Sequence, residues 1–208
     1  MTDGDTPLSS IMRFVGQETI EDKMDLVILA AGKHDRFPGP EPKCLRIVDG
    51  DPILERLLKC VPNYTPLIVC RSDLETEYAD RLEGYGHVLK VSKTETQGQT
   101  MSWVLSYLPK GRHVCFVSAD TFPMIERPIP LPPWPDAAIF DPYAWITILT
   151  VTNTQIAENQ MATCLNKLDY MQQNWTPAIL VSHPWRNINS PDNVAAAEVV
   201  LHKLRGET

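Results

Sequence analysis

The chain has 208 residues with a formal net charge of -7, and 43% of its residues are hydrophobic. This length suits one domain with a sizeable core and is short for two. The acidic balance and the lack of a basic run argue against a protein that grips a nucleic-acid backbone. Five cysteines without a CxxC pair argue against a disulfide framework or a zinc site. No apolar run approaches the roughly 20 residues of a membrane span, and no signal-peptide pattern opens the chain, so we expect a cytoplasmic protein.

From residue 24 onward, apolar runs alternate with helical patterns. Strands are predicted at residues 26–30, 44–48, 66–70, 88–91 and 113–117, and helices at residues 52–60, 74–82 and 97–108. Continuous apolar runs such as LVILA are typical of strands that are buried on both faces. The alternation predicts a single-domain, three-layer α/β/α fold around a mainly parallel, Rossmann-like sheet. Residues 1–23 have few strong apolar residues and are interpreted as an extension to a domain at 24–208.

The second half of the chain is less regular. Strands are predicted at residues 137–140, 145–151 and 178–181, and helices at residues 154–173 and 191–204. The last helix has a clear start, because Ser190 is a good N-cap and Pro191 suits the first helical position.

The loop after the first strand carries small and basic residues. Ala30, Ala31 and Gly32 allow a base or a phosphate to approach the backbone, whose N–H groups can cradle anionic oxygens. The basic residues that follow are Lys33, Arg36, Lys43 and Arg46, against the acids Asp35 and Glu41. In an acidic protein this cluster indicates a pocket for an anion such as a triphosphate, while an ordinary solvated loop is the alternative. The loop is neither a P-loop nor a GxGxxG turn.

Two further features are predicted at strand ends, where open α/β sheets bind ligands. Gln97 and Gly98 open a helix, and the glycine would let a ligand approach closely; a plain helix start is the alternative. Asp120 follows the strand at 113–117 after Ser118 and Ala119, and a lone aspartate at such a position often caps a helix or forms a turn.

These segments together resemble a known family. The motif LAAG at 29–32, then Arg36 and Pro42-Lys43 with its continuation to Arg56, is similar to the signature of nucleotidyltransferases with a glycosyltransferase-A-like fold. That family includes sugar-1-phosphate nucleotidyltransferases, phosphocholine cytidylyltransferases, and the cytidylyl- and guanylyltransferases of isoprenoid and molybdenum-cofactor synthesis. Residues 95–100 and 187–198 resemble its "TxGxxxT" and "DINTPEDLxxAE" segments. His34 is a departure, since the family usually has a glycine there.

The resemblance implies an enzyme that moves a nucleotidyl group from a nucleoside triphosphate to a small phosphorylated acceptor, with sugar 1-phosphates or phosphocholine favoured. It implies catalytic roles for three residues: Lys43, Arg36 and Asp120. It implies nucleotide contacts for another set: Ala30, Ala31, Gly32, Lys33, Gln97 and Gly98. It also implies Mg²⁺ held by Asp120 and Asn189, because carboxylate and carboxamide oxygens are hard donors.

Two other functions stay open at this point. A glycosyltransferase with a nucleotide-sugar donor could use Asp120 in a reduced metal site, although such an enzyme has no need of Lys43 between two phosphates. A non-catalytic nucleotide-binding relative would explain His34 and Asn189. The sequence leaves room for a homo-oligomer. Residues 123–184 match no named family segment. Four of them could line an acceptor pocket, although such aromatic residues more often pack in cores and loops: Trp134, Asp141, Tyr143 and Trp145.

Overall fold

The structure, a computed structural model, describes residues 24–32, 37, 41–82, 84, 86–91, 94–132, 134, 136–182 and 185–206, and at 87 and 89–91 the backbone alone. Its strands are β1 (Met24–Leu29), β2 (Ile47–Val48), β3 (Asp51–Pro52), β4 (Leu67–Arg71), β5 (His87–Val91), β6 (His113–Ser118), β7 (Thr121–Pro123), β8 (Ala137–Asp141), β9 (Ile146–Thr152), β10 (Ala178–Leu180) and β11 (Trp185–Asn187). Its α-helices are α1 (Ile53–Lys59), α2 (Glu75–Arg81), α3 (Gln97–Tyr107), α4 (Gln155–Thr163), α5 (Lys167–Gln173) and α6 (Pro191–Arg205).

Seven strands form the main sheet in the order β10-β8-β9-β6-β1-β4-β5. Neighbouring strands from β6 through β5 are parallel, and β10 is parallel to β8. Strand β9 alone is reversed, since it pairs antiparallel with both β6 and β8. This mixed and mostly parallel sheet confirms the predicted α/β class.

Helices cover both faces of the sheet because successive side chains of a strand point to opposite faces. Leu26 and Ile28 belong to a core that α1 and α2 cover, whereas Val27 and Leu29 belong to a core that α3, α4 and α5 cover. Burying each such aliphatic side chain stabilises the fold by about 1.5–3 kcal/mol. The two cores on one strand account for the continuous apolar run in the sequence and confirm the three-layer arrangement.

A third cluster of buried residues attaches helix α6 beside the sheet. Ala197 and Leu201 of this helix pack with Phe122 of β7 and Ile188, which follows β11. Strands β7 and β11 pair antiparallel, and neither was predicted from the sequence. Their pairing matters for the site because it brings residues 187–189 alongside residues 120–121.

The predicted strand at 44–48 is wrong in its first part. Residues Lys43–Leu45 form a 3₁₀ helix, in which Leu45 N–H donates to Pro42 O at 3.0 Å, and only Ile47 and Val48 are extended. Cys44 and Leu45 are both buried in the core under α1 and α2. A strand would have turned one of them to the opposite side, so the tight turn is what lets adjacent apolar residues share one core.

The predicted helix at 154–173 is divided into α4 and α5. The first ends at Thr163, and the Asn166 side chain caps the second by accepting a hydrogen bond from Asp169 N–H at 3.0 Å. Between them, the carbonyl of Leu165 accepts a hydrogen bond from Gln97 N–H at 3.1 Å. The break therefore supplies an acceptor for the otherwise unpaired N-terminus of α3.

No helix in the described part of the chain is long and apolar enough to cross a membrane. Residues 1–23 lie outside the described residues, so the division into an N-terminal extension and a domain stays a prediction.

Candidate active site

The ends of β1 and β6 bring two of the predicted features together. These strands are parallel neighbours, with Leu29 opposite Ser118. Ala119 N–H donates to Leu29 O at 3.0 Å, so the chain leaves both strands at the same edge of the sheet. The small residues 30–32 and Asp120 therefore lie beside one another, at the edge where open α/β sheets bind ligands.

Lys43, Asp120 and Asn189 form the charged centre of this edge. Lys43 Nζ donates to Asp120 Oδ2 at 2.6 Å and to Asn189 Oδ1 at 3.0 Å. The 3₁₀ helix at Lys43–Leu45 positions the lysine, and Ile188 N–H donates to Asp120 O at 3.0 Å, which fixes Asn189 beside the aspartate. The Lys43 and Asp120 side chains are 13% and 20% exposed. The pair is thus largely shielded from water and still reachable, which strengthens its interaction with a charged ligand.

A first cavity opens between these strand ends and the start of α3. Its lining comprises residues 29–32, 43–44, 94–97, 100 and 118–120. A methyl group added at Gly32 would meet no atom of the described residues within 4 Å, so the backbone there faces open space. The cavity contains the backbone predicted to approach a nucleotide together with Lys43 and Asp120.

Gln97 and Gly98 have different surroundings, although they are adjacent. Gln97 lines the cavity, and its Nε2 donates to Ser118 Oγ at 3.2 Å. Gly98 is buried against the end of α4, where an added Cβ would lie 2.1 Å from Cys164 O and 2.5 Å from Met161 O. The close packing of α3 on α4 therefore requires glycine at position 98, a reason that the sequence analysis did not identify.

A second cavity, with a volume of about 390 Å³, adjoins the first. It is lined by residues 97, 118, 120–121, 140, 145–147, 166–168, 187 and 189. Gln97, Ser118 and Asp120 line both cavities and form their common wall. The volume is within the range of about 300–1,000 Å³ that is usual for small-molecule sites.

Lys167 is a member of this second cavity that the sequence analysis missed. Lys167 is 4% exposed, and its Nζ donates to Ser118 Oγ at 2.7 Å. Burial lowers the pKa of the ammonium to about 8, and the negative charge of Asp120 opposes that shift. The sequence held one signal, a lysine between the apolar residues Leu165 and Leu168 of a helical stretch.

Trp145 lies at the second cavity, as one of the four residues suggested for an acceptor pocket. It is 70% exposed with a φ of 54°, in the left-handed region that bulky residues rarely adopt, and its ring contacts Phe140 edge to face at 6.2 Å. The carboxylate of Asp141 instead accepts from the N–H groups of Tyr143 and Ala144 at 2.9 and 3.1 Å. Asp141 therefore shapes the turn that presents Trp145. Neither Trp134 nor Tyr143 is among the described residues that line the two cavities.

The thiol in the first cavity does not have the character of a nucleophile. Cys44 is buried, and the loss of solvation raises its pKa to about 11. Its Sγ lies 2.6 Å from the hydroxyl oxygen of Tyr78. A reactive cysteine needs a lowered pKa and access to solvent, so covalent chemistry at this thiol is disfavoured.

The oxygen donors at the centre fit a divalent cation that is shared with a phosphate ligand. Asp120 Oδ2 and Asn189 Oδ1 both point at one positively charged atom, Lys43 Nζ. Within the described ranges, no group of three or more His, Cys, Asp or Glu side chains could form an all-protein metal site. A pair of hard oxygen donors nevertheless suits Mg²⁺, which is usually bound by one or two protein ligands and completed by substrate phosphates and water.

Residues 33–36 and 38–40 of the predicted loop fall outside the described residues, and Lys33, His34 and Arg36 are among them. The predicted phosphate contacts of Lys33 and Arg36 therefore stay predictions, as does the part that His34 plays. Arg46, from the same basic cluster, stacks its guanidinium over the ring of Phe37 at 5.3 Å from the centroid. The structure thus joins Lys43 of this cluster to the charged centre and gives Arg46 a packing contact.

No protein-family model and no curated protein sequence matches the chain. Solved structures do match its fold. A structure assigned as a glucose-1-phosphate thymidylyltransferase of Bacillus anthracis superposes with a TM-score of 0.61 at 10% identity, covering 86% of this chain and 95% of the other.

Two further structures show the same likeness. 4-Diphosphocytidyl-2C-methyl-D-erythritol synthase of Anaerococcus prevotii superposes with a TM-score of 0.58 at 15% identity, covering 86% of this chain and 96% of the other. CTP:phosphocholine cytidylyltransferase of Streptococcus pneumoniae superposes with a TM-score of 0.59 at 12% identity, covering 86% of this chain and 99% of the other. The chain therefore has the fold of these nucleotidyltransferases over nearly their whole length.

Proposed function

We propose that the protein is a nucleotidyltransferase that moves a nucleoside monophosphate group from a nucleoside triphosphate to a small phosphorylated acceptor. An oxygen of the acceptor phosphate attacks the α-phosphorus, the bond from that phosphorus to the bridging oxygen breaks, and pyrophosphate leaves. The observation that carries the proposal is the ammonium of Lys43, which lines the first cavity and donates hydrogen bonds to Asp120 and Asn189. The shared fold supports the same reaction class.

Charge neutralisation and positioning do most of the work in such a transfer. Lys43 lies beside the wall common to both cavities and would reduce the repulsion between the acceptor phosphate and the α-phosphate as they approach. The backbone N–H groups of residues 31–32 would face the nucleotide in the first cavity, because small side chains leave them open. Gln97 would orient the bound groups from the common wall. Arg36 would bind the outer phosphates of the triphosphate, since a guanidinium matches phosphate oxygens with paired donors.

Mg²⁺ is the cofactor that we propose for Asp120 and Asn189. When bound, it would neutralise charge on the phosphate oxygens of the nucleotide. Lys43 donates to one oxygen of each side chain, so a cation bound there would compete with its ammonium for these oxygens. An ammonium displaced from them would be able to reach a phosphate oxygen, which would link nucleotide binding to the catalytic role proposed for this residue.

The proposal is tested by measuring pyrophosphate release with each of the four common nucleoside triphosphates and Mg²⁺. The acceptors are a set of sugar 1-phosphates and phosphocholine. We expect turnover with at least one pair, and a loss of about 10²-fold or more in kcat for Lys43→Met, comparable to the removal of one preorganised electrostatic donor. Lys59→Met is the matched control, because Lys59 Nζ also contacts a carboxylate, Asp51 Oδ1 at 2.8 Å, and does not line either cavity.

Two results would contradict the proposal. Release of a nucleoside diphosphate from a nucleotide sugar, without pyrophosphate release from any triphosphate, would favour a glycosyltransferase. Near-normal turnover of Lys43→Met would remove the role given to this lysine. Melting temperatures of both variants should be measured alongside, because the loss of Lys43 leaves Asp120 without its 2.6 Å partner.

A further inference from the structure

The wall shared by the two cavities determines where an acceptor phosphate would lie. If the nucleotide occupies the first cavity, an acceptor in the second cavity meets the α-phosphate only at this wall, which consists of Gln97, Ser118 and Asp120. Two lysines reach the wall from different sides. Lys43 contacts Asp120 and Lys167 contacts Ser118.

Lys167 has the features of an anion-binding group rather than a structural one. It is buried, and among the described residues its ammonium reaches one acceptor, Ser118 Oγ, and forms no ion pair with a carboxylate. An ammonium carries three donors, so its remaining N–H groups are available to a ligand. The negative charge of Asp120 acts on this ammonium without forming an ion pair with it, and that carboxylate is already paired with Lys43 at 2.6 Å. A buried charge without a close partner of opposite sign is costly, and such groups usually receive a counter-charge. A bound anion would supply it.

Ser118 extends the same arrangement of donors. Its Oγ accepts hydrogen bonds from Gln97 Nε2 at 3.2 Å and from Lys167 Nζ at 2.7 Å. A hydroxyl group has two acceptor positions and one donor, so these two contacts orient the O–H of Ser118 away from both partners. The wall therefore presents a hydroxyl donor next to the ammonium, a combination that suits phosphate oxygens.

The rest of the second cavity suits an uncharged body that carries hydroxyl groups. Beyond Lys167 and Asp120, its described lining is polar and neutral or apolar, with Thr121, Thr147 and Asn187 among the polar members. Asn187 Oδ1 is buried without a hydrogen-bond partner in the described residues, so it can accept from a ligand hydroxyl. Asp120 is already paired with Lys43, which leaves a quaternary ammonium without a carboxylate partner.

Resting on the proposed function, we propose that Lys167 binds the phosphate of the acceptor and that this acceptor is a phosphorylated polyol such as a sugar 1-phosphate. The phosphate lies against Lys167 and Ser118, between the two lysines. The hydroxyl groups of the polyol meet Asn187 and the threonines, and the exposed ring of Trp145 covers an apolar face of it.

The test is calorimetric titration of the full chain with inorganic phosphate, with three sugar 1-phosphates (of glucose, mannose and N-acetylglucosamine) and with phosphocholine. It is done with Mg²⁺ and a saturating non-transferable α,β-methylene triphosphate. Lys167→Met has nearly the same shape without the charge. We expect it to bind the sugar phosphate and inorganic phosphate at least tenfold more weakly, while its affinity for the triphosphate analogue stays unchanged. Lys203→Met, which removes an exposed lysine of α6, is the charge control and should match the wild type.

Melting temperature separates binding from a structural role. Since Lys167→Met removes a buried charge, its melting temperature should be equal to or higher than that of the wild type, whereas a structural lysine would lower it on removal. In turnover, the KM for the acceptor should rise more than the KM for the triphosphate.

Each opposing result overturns a stated part. Wild-type affinity of Lys167→Met for every phosphate probe, or no phosphate binding by the wild type while the triphosphate analogue binds, overturns the role of Lys167. Tighter binding of phosphocholine than of all three sugar phosphates overturns the polyol. Failure of the triphosphate analogue to bind is a separate result, which removes the proposed function itself and the acceptor site that rests on it.

Discussion

Two glycines at the candidate site should respond in opposite ways to the same added methyl group. At Gly98, the new Cβ would lie 2.1 Å from Cys164 O and 2.5 Å from Met161 O, both of them backbone atoms at the end of α4. Helices α3 and α4 would have to separate by about 1 Å, and overpacking of this kind costs about 1–3 kcal/mol. The higher helix propensity of alanine offsets about 0.5–1 kcal/mol of that cost.

The net expectation for Gly98→Ala is a loss of about 1 kcal/mol in the free energy of unfolding. In a chain of this size, that corresponds to a fall of about 2–4 °C in melting temperature. Gly32→Ala should change the free energy of unfolding by roughly 0.5 kcal/mol at most, because no described atom lies within 4 Å of the added group and no positive φ is involved. It should instead weaken triphosphate binding, since the methyl group projects into the first cavity.

Thermal melts by circular dichroism, urea titrations and triphosphate titrations of both variants test this contrast. The reasoning is refuted if Gly98→Ala melts like the wild type and loses only nucleotide affinity. In that case, position 98 would contact the ligand, as the family resemblance suggested, and would not be set by packing on α4.

Three further outcomes follow from buried polar groups. Arg112→Ala should lower the free energy of unfolding, measured by urea titration, by about 3–5 kcal/mol. The reason is that the carboxylate of Asp25, which is 6% exposed, loses the 2.6 and 2.9 Å hydrogen bonds that the guanidinium donates. Burial lowers the pKa of Lys167 to about 8, while an unfolded lysine titrates near 10.4; the folded protein thus releases a proton that the unfolded chain keeps, and the contribution of Lys167 to stability should rise between about pH 8 and pH 10.5. Urea titrations across that range should show the free energy of unfolding of the wild type gaining on that of Lys167→Met, because the buried thiols titrate in both proteins; parallel curves would contradict the burial of this charge. The five cysteines are buried, and desolvation raises the pKa of Cys44 to about 11 and that of Cys70 to about 12. A thiol reagent at pH 7.5 should therefore label the native protein far more slowly than the urea-unfolded chain. Rapid labelling of the native protein would contradict the burial of these thiols.

The sheet could be predicted from the sequence because its central strands are buried on both faces. The runs at 26–30, 66–70 and 113–117 are continuous and apolar, and such a pattern has few alternatives in a chain of this composition. Strands β7 and β11 were missed because they have three residues each and contain no comparable run. Their pairing is determined by the third apolar cluster, which joins residues far apart in the chain.

The candidate site was predictable only in part. The family resemblance predicted that one site contains Lys43, Asp120 and Asn189. No spacing rule could have given the contacts of Lys43, because Asp120 at 2.6 Å lies 77 positions away in the chain and Asn189 at 3.0 Å lies 146 positions away. Lys167 was missed because the predicted helix at 154–173 hid the break that places it at the start of α5. Its partner, Ser118, lies 49 positions away. Buried polar contacts of this kind depend on tertiary packing, which local patterns do not encode.

The fate of the α-phosphate tests the central claim most directly. The protein is incubated with Mg²⁺, a sugar 1-phosphate and a triphosphate that carries distinguishable labels on its α- and γ-phosphorus, and the products are separated. Nucleotidyl transfer predicts the α label in a new nucleoside diphosphate sugar and the γ label in pyrophosphate, with both products lost in Lys43→Met. An α label that stays in unmodified nucleotide with every triphosphate and acceptor in the set, at protein concentrations where the triphosphate is bound, would contradict the account.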